Sequence, residues 1–114
     1  MSRIIRLDQF SFHHALEETP GVAIVIITGP DCGSCRMMRQ ALQSLLDDGA
    51  KFVVYEVDAE TDMGIAREYG VFHLPGLFVF RDGVYHAPLE SEHLPERIIS
   101  ALDVVLEAPA REAP

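Results

Sequence analysis

The chain has 114 residues, 48% of them hydrophobic, and carries 18 acidic against 9 basic side chains for a formal net charge of −9. This length corresponds to one domain, and the apolar content is enough for a core and excludes a disordered chain. The negative charge argues against binding to nucleic acid or to an anionic membrane. We expect one folded domain over residues 1–107 and a disordered tail over residues 108–114, which have no core-forming pattern.

The first half of the chain alternates between strand and helix patterns. A short strand is predicted over residues 4–7, followed by a short helix. Residues 22–27 form a continuous apolar run, mostly β-branched, which is typical of a central strand covered on both faces. A turn at residues 28–31 leads into a helix over residues 32–48, which Gly49 ends.

The second half continues this alternation and ends with a hairpin and a helix. A strand is predicted over residues 52–57, and the short helix after it stops at Gly70. Another strand at residues 76–80 is followed by an Asp-Gly turn, which favours a β-hairpin, and the last helix begins near His93. The order βαβαβαββα predicts an α/β fold with a mostly parallel sheet, to which the hairpin adds an antiparallel edge.

Neither a signal peptide nor an apolar run long enough to cross a bilayer is visible in the sequence. We therefore expect a cytoplasmic protein with no membrane partner. In that compartment a structural disulfide is unusual, so cysteines three positions apart are expected to be redox-active or metal-binding.

The two cysteines of the chain are Cys32 and Cys35, at the start of the longest predicted helix. Thiols at positions i and i+3 lie on one helix face, near enough to form a disulfide. The helix start favours a thiolate at Cys32, and a thiolate is the species that attacks a disulfide. We therefore assign Cys32 as the attacking thiolate and Cys35 as the resolving thiol, a reaction that requires no bound cofactor. The same spacing also occurs as half of a zinc site, which stays open as an alternative.

Several motifs follow one another in a specific order. They are the 4–7 strand with Phe12, the Cys-Gly-Ser-Cys site, Val57-Asp58, the segment Tyr-Gly-Val-Phe-His-Leu-Pro at residues 69–75, and the strand and turn at 77–83. In this order and at these separations, the chain resembles the thioredoxin family over nearly all of its length. The resemblance implies the thioredoxin fold, a central mixed β-sheet flanked by helices, and a thiol–disulfide oxidoreductase that acts on protein disulfides.

The resemblance also implies roles for the residues around the cysteine pair. Pro75 matches a cis-proline that packs against the two cysteines, and the backbone of Leu74 matches the group that pairs with substrate. Together with Gly76, Pro30 and Asp31, these residues are expected to bind the substrate, with an apolar rim around Cys32. No metal is expected at this site.

The chain departs from the family pattern beside this site. It has no tryptophan, and Asp31, which we interpret as the helix N-cap, stands before the first cysteine, where its charge disfavours a thiolate. Ile26 replaces a buried aspartate, so we expect slow resolution by Cys35. Ser34 replaces a proline and can donate a hydrogen bond to a thiolate, which predicts a more oxidising couple. Gly76 stands where threonine is common.

The expected partners are a protein or peptide disulfide and, from the resemblance, an NADPH-dependent flavoprotein reductase, with the chain itself a monomer. The first alternative is a non-catalytic binding or assembly protein on the same fold, such as the thioredoxin-like accessory proteins of hydrogenase maturation. The second is a metal domain, for which His73 is the best additional ligand. The remaining histidines are interpreted as surface residues: His13, His14, His86 and His93.

Overall fold

A computed structural model describes residues 2–114, and in this part of the chain four helices cover a five-stranded sheet. The strands are β1 (Ile5–Arg6), β2 (Val22–Thr28), β3 (Val53–Asp58), β4 (Gly76–Arg81) and β5 (Val84–Pro88). The helices are α1 (Phe12–Glu17), α2 (Gly33–Asp47), α3 (Met63–Glu68) and α4 (Pro95–Glu107). The predicted order βαβαβαββα and the mixed sheet are both confirmed.

The strands are arranged in the order β1-β3-β2-β4-β5, so β2 is central. It runs parallel to β3 but antiparallel to β4, and the sheet is therefore less parallel than strand–helix alternation predicts. The connection between β3 and β4, residues 59–75, is long enough for a parallel crossover, so its length does not fix the direction of β4. In the structure this connection does not return along the sheet, and β4 runs in the opposite direction to β2 and β3.

As a result, β4 starts at the edge of the sheet where β2 and β3 end. Gly76, the first residue of β4, is the register partner of Ile27 near the end of β2. The loop that leads to Pro75 and the loop that leads to Cys32 therefore meet at this edge. The direction of β4 is what brings the two predicted parts of the site together.

The sheet separates two apolar layers. Ile24 and Ile26 point to the layer that contains α2 and α4, whereas Val25 and Ile27 point to the layer with α1 and α3. All four side chains are completely buried. The predicted central strand with two covered faces is confirmed, and it fixes the position of the loop that follows it.

The interpretation of His86 as a surface residue is wrong. This side chain is 6% exposed, and its Nε2 lies 2.8 Å from the backbone oxygen of Val105 in α4. A register shift between Val79 and Phe80 breaks the alternation of β5, so that His86 and its neighbour Ala87 are both buried. The other histidines that were interpreted as surface residues are exposed: His13, His14 and His93.

Residues 108–114 follow the end of α4 without helix or strand, and all of them are exposed. The backbone N–H of Arg111 donates a hydrogen bond to the backbone oxygen of His86, at 2.7 Å. The domain boundary at residue 107 and the disorder of the tail stay predictions.

Candidate redox site

Helix α2 begins directly after Cys32, which is its N-cap residue with φ −111° and ψ 102°. The Cys32 Sγ accepts a hydrogen bond from the backbone N–H of Cys35 at 3.1 Å, as an N-cap side chain does. The prediction that Asp31 caps this helix is therefore wrong. Asp31 is exposed and has a left-handed backbone with φ 53°, so it belongs to the turn before the cap.

Cys32 and Cys35 form a disulfide, with their Cα atoms 5.2 Å apart. The two residues differ in their access to solvent: Cys32 is partly exposed, whereas Cys35 is only 1% exposed. The hydroxyl of Ser34 lies 3.6 Å from the Cys32 Sγ, within hydrogen-bonding distance for sulfur. An incoming molecule therefore meets the sulfur of Cys32 first.

The loop before β4 faces the cysteine loop. The Leu74–Pro75 peptide bond is cis, as the family resemblance implies, and Pro75 lines the same groove as Ser34. A Cβ atom on Gly29 would lie 2.7 Å from Leu74 Cδ1, so the leucine packs directly over the turn that precedes the cysteines. The structure thus places Leu74 against the Gly29 turn and Pro75 in one groove with Ser34, so the two loops are neighbours.

Gly76 has no room for a side chain. A Cβ atom at this position would lie 2.6 Å from Val71 Cγ1 and 3.1 Å from Val71 Cγ2. Real Cβ atoms do not approach neighbours this closely, and a β-branched valine has little freedom to turn away. The valine therefore accounts for glycine at a position where the family commonly has threonine.

The groove beside Pro75 contains residues that the sequence did not point to. It has a volume of about 250 Å³, an apolar floor, and a rim formed by the segment between β5 and α4. The floor consists of Met38, Pro75, Leu77 and Leu89, and the rim of Ser34, Glu90, Ser91, Glu92 and His93. The sequence offered no signal for this rim, because only the folded sheet places residues 90–93 in one groove with Ser34 and Pro75.

The sequence analysis also did not identify the buried carboxylate of Glu56. Glu56 of β3 is the register partner of Ile26, the position at which the family pattern would have an aspartate. Its Oε2 accepts hydrogen bonds from Thr28 Oγ1 at 2.6 Å and from Arg39 Nη2 at 2.7 Å. Burial raises the pKa of Glu56, but the hydrogen bonds from Arg39 and Thr28 outweigh it, so that this pKa is below its ordinary value. Glu56 is therefore ionised at neutral pH and forms an ion pair with Arg39.

Residues 2–114 contain neither a cluster of metal-ligating side chains nor a membrane-spanning helix. Among residues 2–114, no three His, Cys, Asp or Glu side chains come together in a way that could hold a metal ion. In the same part of the chain, no helix has both the length and the apolar composition needed to span a bilayer.

A partly exposed half-cystine at a helix start, joined to a buried partner and faced by a cis-proline loop, defines a thiol–disulfide oxidoreductase of the thioredoxin fold. Comparison with known proteins agrees with this class. The thioredoxin family model matches residues 3–103, and the chain belongs to the thioredoxin family.

The chain covers most of the length of one relative and less than a quarter of two others. The chain is 31% identical over 81 residues to thioredoxin of Bacillus subtilis (strain 168), covering 70% of this chain and 76% of the relative. It is 30% identical over 107 residues to a probable protein disulfide-isomerase ER-60 of Schistosoma mansoni, covering 87% of this chain and 22% of the relative. It is 31% identical over 75 residues to NADPH-dependent thioredoxin reductase 3 of Arabidopsis thaliana, covering 65% of this chain and 14% of the relative.

Proposed function

We propose that this oxidoreductase exchanges disulfides of protein substrates, with Cys32 as the attacking thiolate and Cys35 as the resolving thiol. The observation that carries the proposal is the difference in access between the two sulfurs. Cys32 is partly exposed at the start of a 15-residue helix, whereas Cys35 is buried one turn further along. The helix dipole and the N–H of Cys35 both stabilise negative charge on the Cys32 sulfur.

The reaction proceeds in two exchanges. The Cys32 thiolate attacks one sulfur of the substrate disulfide, forms a mixed disulfide and releases the first substrate thiolate. The Cys35 thiol then loses its proton and attacks the Cys32 sulfur, which releases the second substrate thiolate and forms the Cys32–Cys35 disulfide. Two electrons pass from the cysteine pair to the substrate, and the sulfurs carry them without a bound cofactor.

Resolution is the step for which this chain supplies the least assistance. The position that the family uses for a buried aspartate is Ile26, and the nearby carboxylate of Glu56 is held ionised by Arg39. A carboxylate with a pKa below its ordinary value is a poor acceptor for the proton of Cys35 at neutral pH. We infer that water removes this proton and that the mixed disulfide is long-lived.

The substrate would lie along the two loops that meet at Cys32. The exposed Leu74 side chain and the half-buried Pro75 and Gly76 form one side, and the exposed Pro30 and Asp31 form the other. We assign the backbone of Leu74 to hydrogen bonding with an extended substrate segment. A polypeptide fits this apolar rim better than a small polar molecule does.

Electrons must be returned to the pair after each cycle. We propose an NADPH-dependent flavoprotein reductase as their source, and the similarity to a plant NADPH-dependent thioredoxin reductase supports this choice. A cytoplasmic location and a monomeric state, both expected from the sequence, stay predictions.

The assay that tests the proposal is reduction of insulin disulfides in the presence of dithiothreitol. We expect the wild-type chain to accelerate this reduction and Cys32→Ser to abolish the acceleration. In a separate incubation without dithiothreitol, pre-reduced Cys35→Ser should accumulate a mixed disulfide with insulin, visible by mass spectrometry as an adduct that later addition of dithiothreitol removes. Ser44→Ala, an exposed change on the same helix, is the control and should match wild type.

Equal rates for wild type and Cys32→Ser would overturn the catalytic proposal and favour the binding or assembly protein instead. A purified chain that carries zinc and does not titrate two free thiols after reduction would favour the metal domain.

A further inference from the structure

The segment between β5 and α4 gives the substrate groove a negative rim. Glu90 and Glu92 are exposed on this rim, and Ser91 Oγ donates a hydrogen bond to the backbone oxygen of Glu92, at 2.8 Å. Within residues 2–114, neither carboxylate takes part in an ion pair. Their charges are therefore available to a molecule that enters the groove.

Glu90 lines depressions on both sides of Pro75. It lines the groove on the Ser34 side of the proline and also a second depression on the other side, which includes Phe72 and His73. Both depressions share the apolar residues Leu77 and Leu89. A polypeptide that crosses Pro75 in an extended conformation would therefore pass Glu90 along most of its contact with the protein.

The charges near the groove are predominantly negative. Asp31 is exposed on the opposite loop, next to Cys32. Arg97 lies on the outer side of the rim, in a shallow depression with Glu90 and Glu92 that does not include the floor of the groove. Arg36 is exposed one residue after Cys35, and its guanidinium lies 3.9 Å from where a Cβ atom on Gly33 would be. The formal charge of −9 adds a long-range field of the same sign as the rim.

Resting on the proposed function, we propose that the preferred substrate is a polypeptide with lysine or arginine beside the cysteine of its disulfide. The apolar floor of Met38, Pro75 and Leu89 accepts the aliphatic part of such a side chain, and Glu90 and Glu92 pair with its charged end. Acidic segments are disfavoured by the same two carboxylates. Glu90 and Glu92 are thus specificity-determining residues for the reaction at Cys32.

Two disulfide-containing peptides that differ only in lysine or glutamate beside the cysteine test this inference. The pre-reduced protein is mixed with each peptide at low ionic strength, and the second-order rate constant for exchange is measured. Each rate constant is divided by that of dithiothreitol, a neutral reductant, which removes the intrinsic reactivity of the peptide. We expect a normalised preference for the lysine peptide of about 5- to 10-fold, falling toward unity in 1 M salt.

The double variant Glu90→Gln/Glu92→Gln should lose most of this preference. The control Glu17→Gln/Glu18→Gln removes two exposed charges from the end of α1, near the hairpin turn and far from the cysteines, and should keep it. Equal normalised rates for the two peptides with wild type, or an unchanged preference in Glu90→Gln/Glu92→Gln, would overturn the inference while the proposed function stands. Failure of the reduced protein to exchange with either peptide would overturn the proposed function itself.

Discussion

Ser34 places a hydroxyl 3.6 Å from the attacking sulfur, Cys32 Sγ. A hydroxyl that donates to a thiolate stabilises the reduced pair more than the disulfide, because the charged sulfur is the better acceptor. Ser34→Ala should therefore make the couple less oxidising, by about 20 mV if the exposed hydrogen bond contributes about 1 kcal/mol. Redox titration against glutathione measures this shift.

Ser44→Ala is the matched control for Ser34, since it removes an exposed hydroxyl from the same helix without touching the cysteines. Its potential should equal that of wild type. A Ser34→Ala potential that is unchanged or more oxidising would contradict the role of this hydroxyl. The predicted potential of the wild-type pair, above the value of about −270 mV for thioredoxin, can be read from the same titration.

The ion pair between Glu56 and Arg39 is expected to stabilise the fold. The carboxylate is buried and accepts hydrogen bonds from Arg39 and Thr28, so Glu56→Gln should lower the free energy of unfolding by about 1–2 kcal/mol at pH 7. Because the pKa of Glu56 is below its ordinary value of 4.5, this contribution is fully present above pH 4.5. It is lost as the pH falls through the pKa of the folded state.

Urea denaturation at a series of pH values between 7 and 3.5 tests this linkage. The difference in unfolding free energy between wild type and Glu56→Gln should shrink toward the acid end. Glu60→Gln, a change at an exposed position soon after β3, serves as the control and should differ little from wild type throughout. A difference that is constant over the whole pH range would show that the charge of Glu56 is not what stabilises the fold.

At the scale of elements, the loop from α3 to β4 depends on the contact between Gly76 and Val71. Gly76→Ala places a Cβ atom 2.6 Å from Val71 Cγ1, so the loop that carries Pro75 has to move. We expect a loss of about 1–3 kcal/mol in stability and a lower rate of insulin reduction. Val71→Ala in the Gly76→Ala background should restore much of the activity, and absence of this rescue would place the cause elsewhere.

Some elements of the fold were predictable from the sequence, and the direction of one strand was not. β2, α2 and the Asp-Gly hairpin turn were predictable because their signals are local: an apolar run, a helical pattern ended by Gly49, and positive φ angles at Asp82 and Gly83. The direction of β4 was not, since residues 59–75 are long enough to lead into a parallel or an antiparallel strand, and tertiary packing decides between them.

The single-residue features that were predicted wrongly or missed also depend on the folded backbone and on tertiary packing. The cap position at Cys32 depends on the left-handed backbone of Asp31, and the burial of His86 depends on a register shift in β5. The carboxylate of Glu56 becomes recognisable only when Arg39 of α2 is placed above it. The cysteine pair and Pro75 were found because their spacing in the chain is itself informative, whereas the rim at residues 90–93 reaches the groove only through tertiary structure.

At the scale of the whole molecule, one edge of the sheet carries the chemistry and the opposite edge carries the hairpin turn. The cysteine loop, the proline loop and the acidic rim meet at the first edge, each on the end of a buried strand or at a helix start. The apolar layers on both faces of the sheet hold these loops in place. Residues 108–114 lie outside this arrangement, and Ala108, Pro109 and Arg111 line a different groove along β5 and α4.

Deletion of residues 108–114 should therefore leave the insulin-reduction rate unchanged and lower the free energy of unfolding by no more than about 1 kcal/mol. One backbone hydrogen bond, from the N–H of Arg111 to the oxygen of His86, connects the tail to β5. The entropy lost in ordering several residues exceeds the free energy that one such bond contributes. The deletion removes one arginine and one glutamate, so the net charge stays at −9. Thermal unfolding should shift by less than about 8 °C, and the amide of Arg111 should exchange rapidly with solvent. A loss of several kcal/mol, or slow exchange at Arg111, would instead make the tail an integral part of the domain.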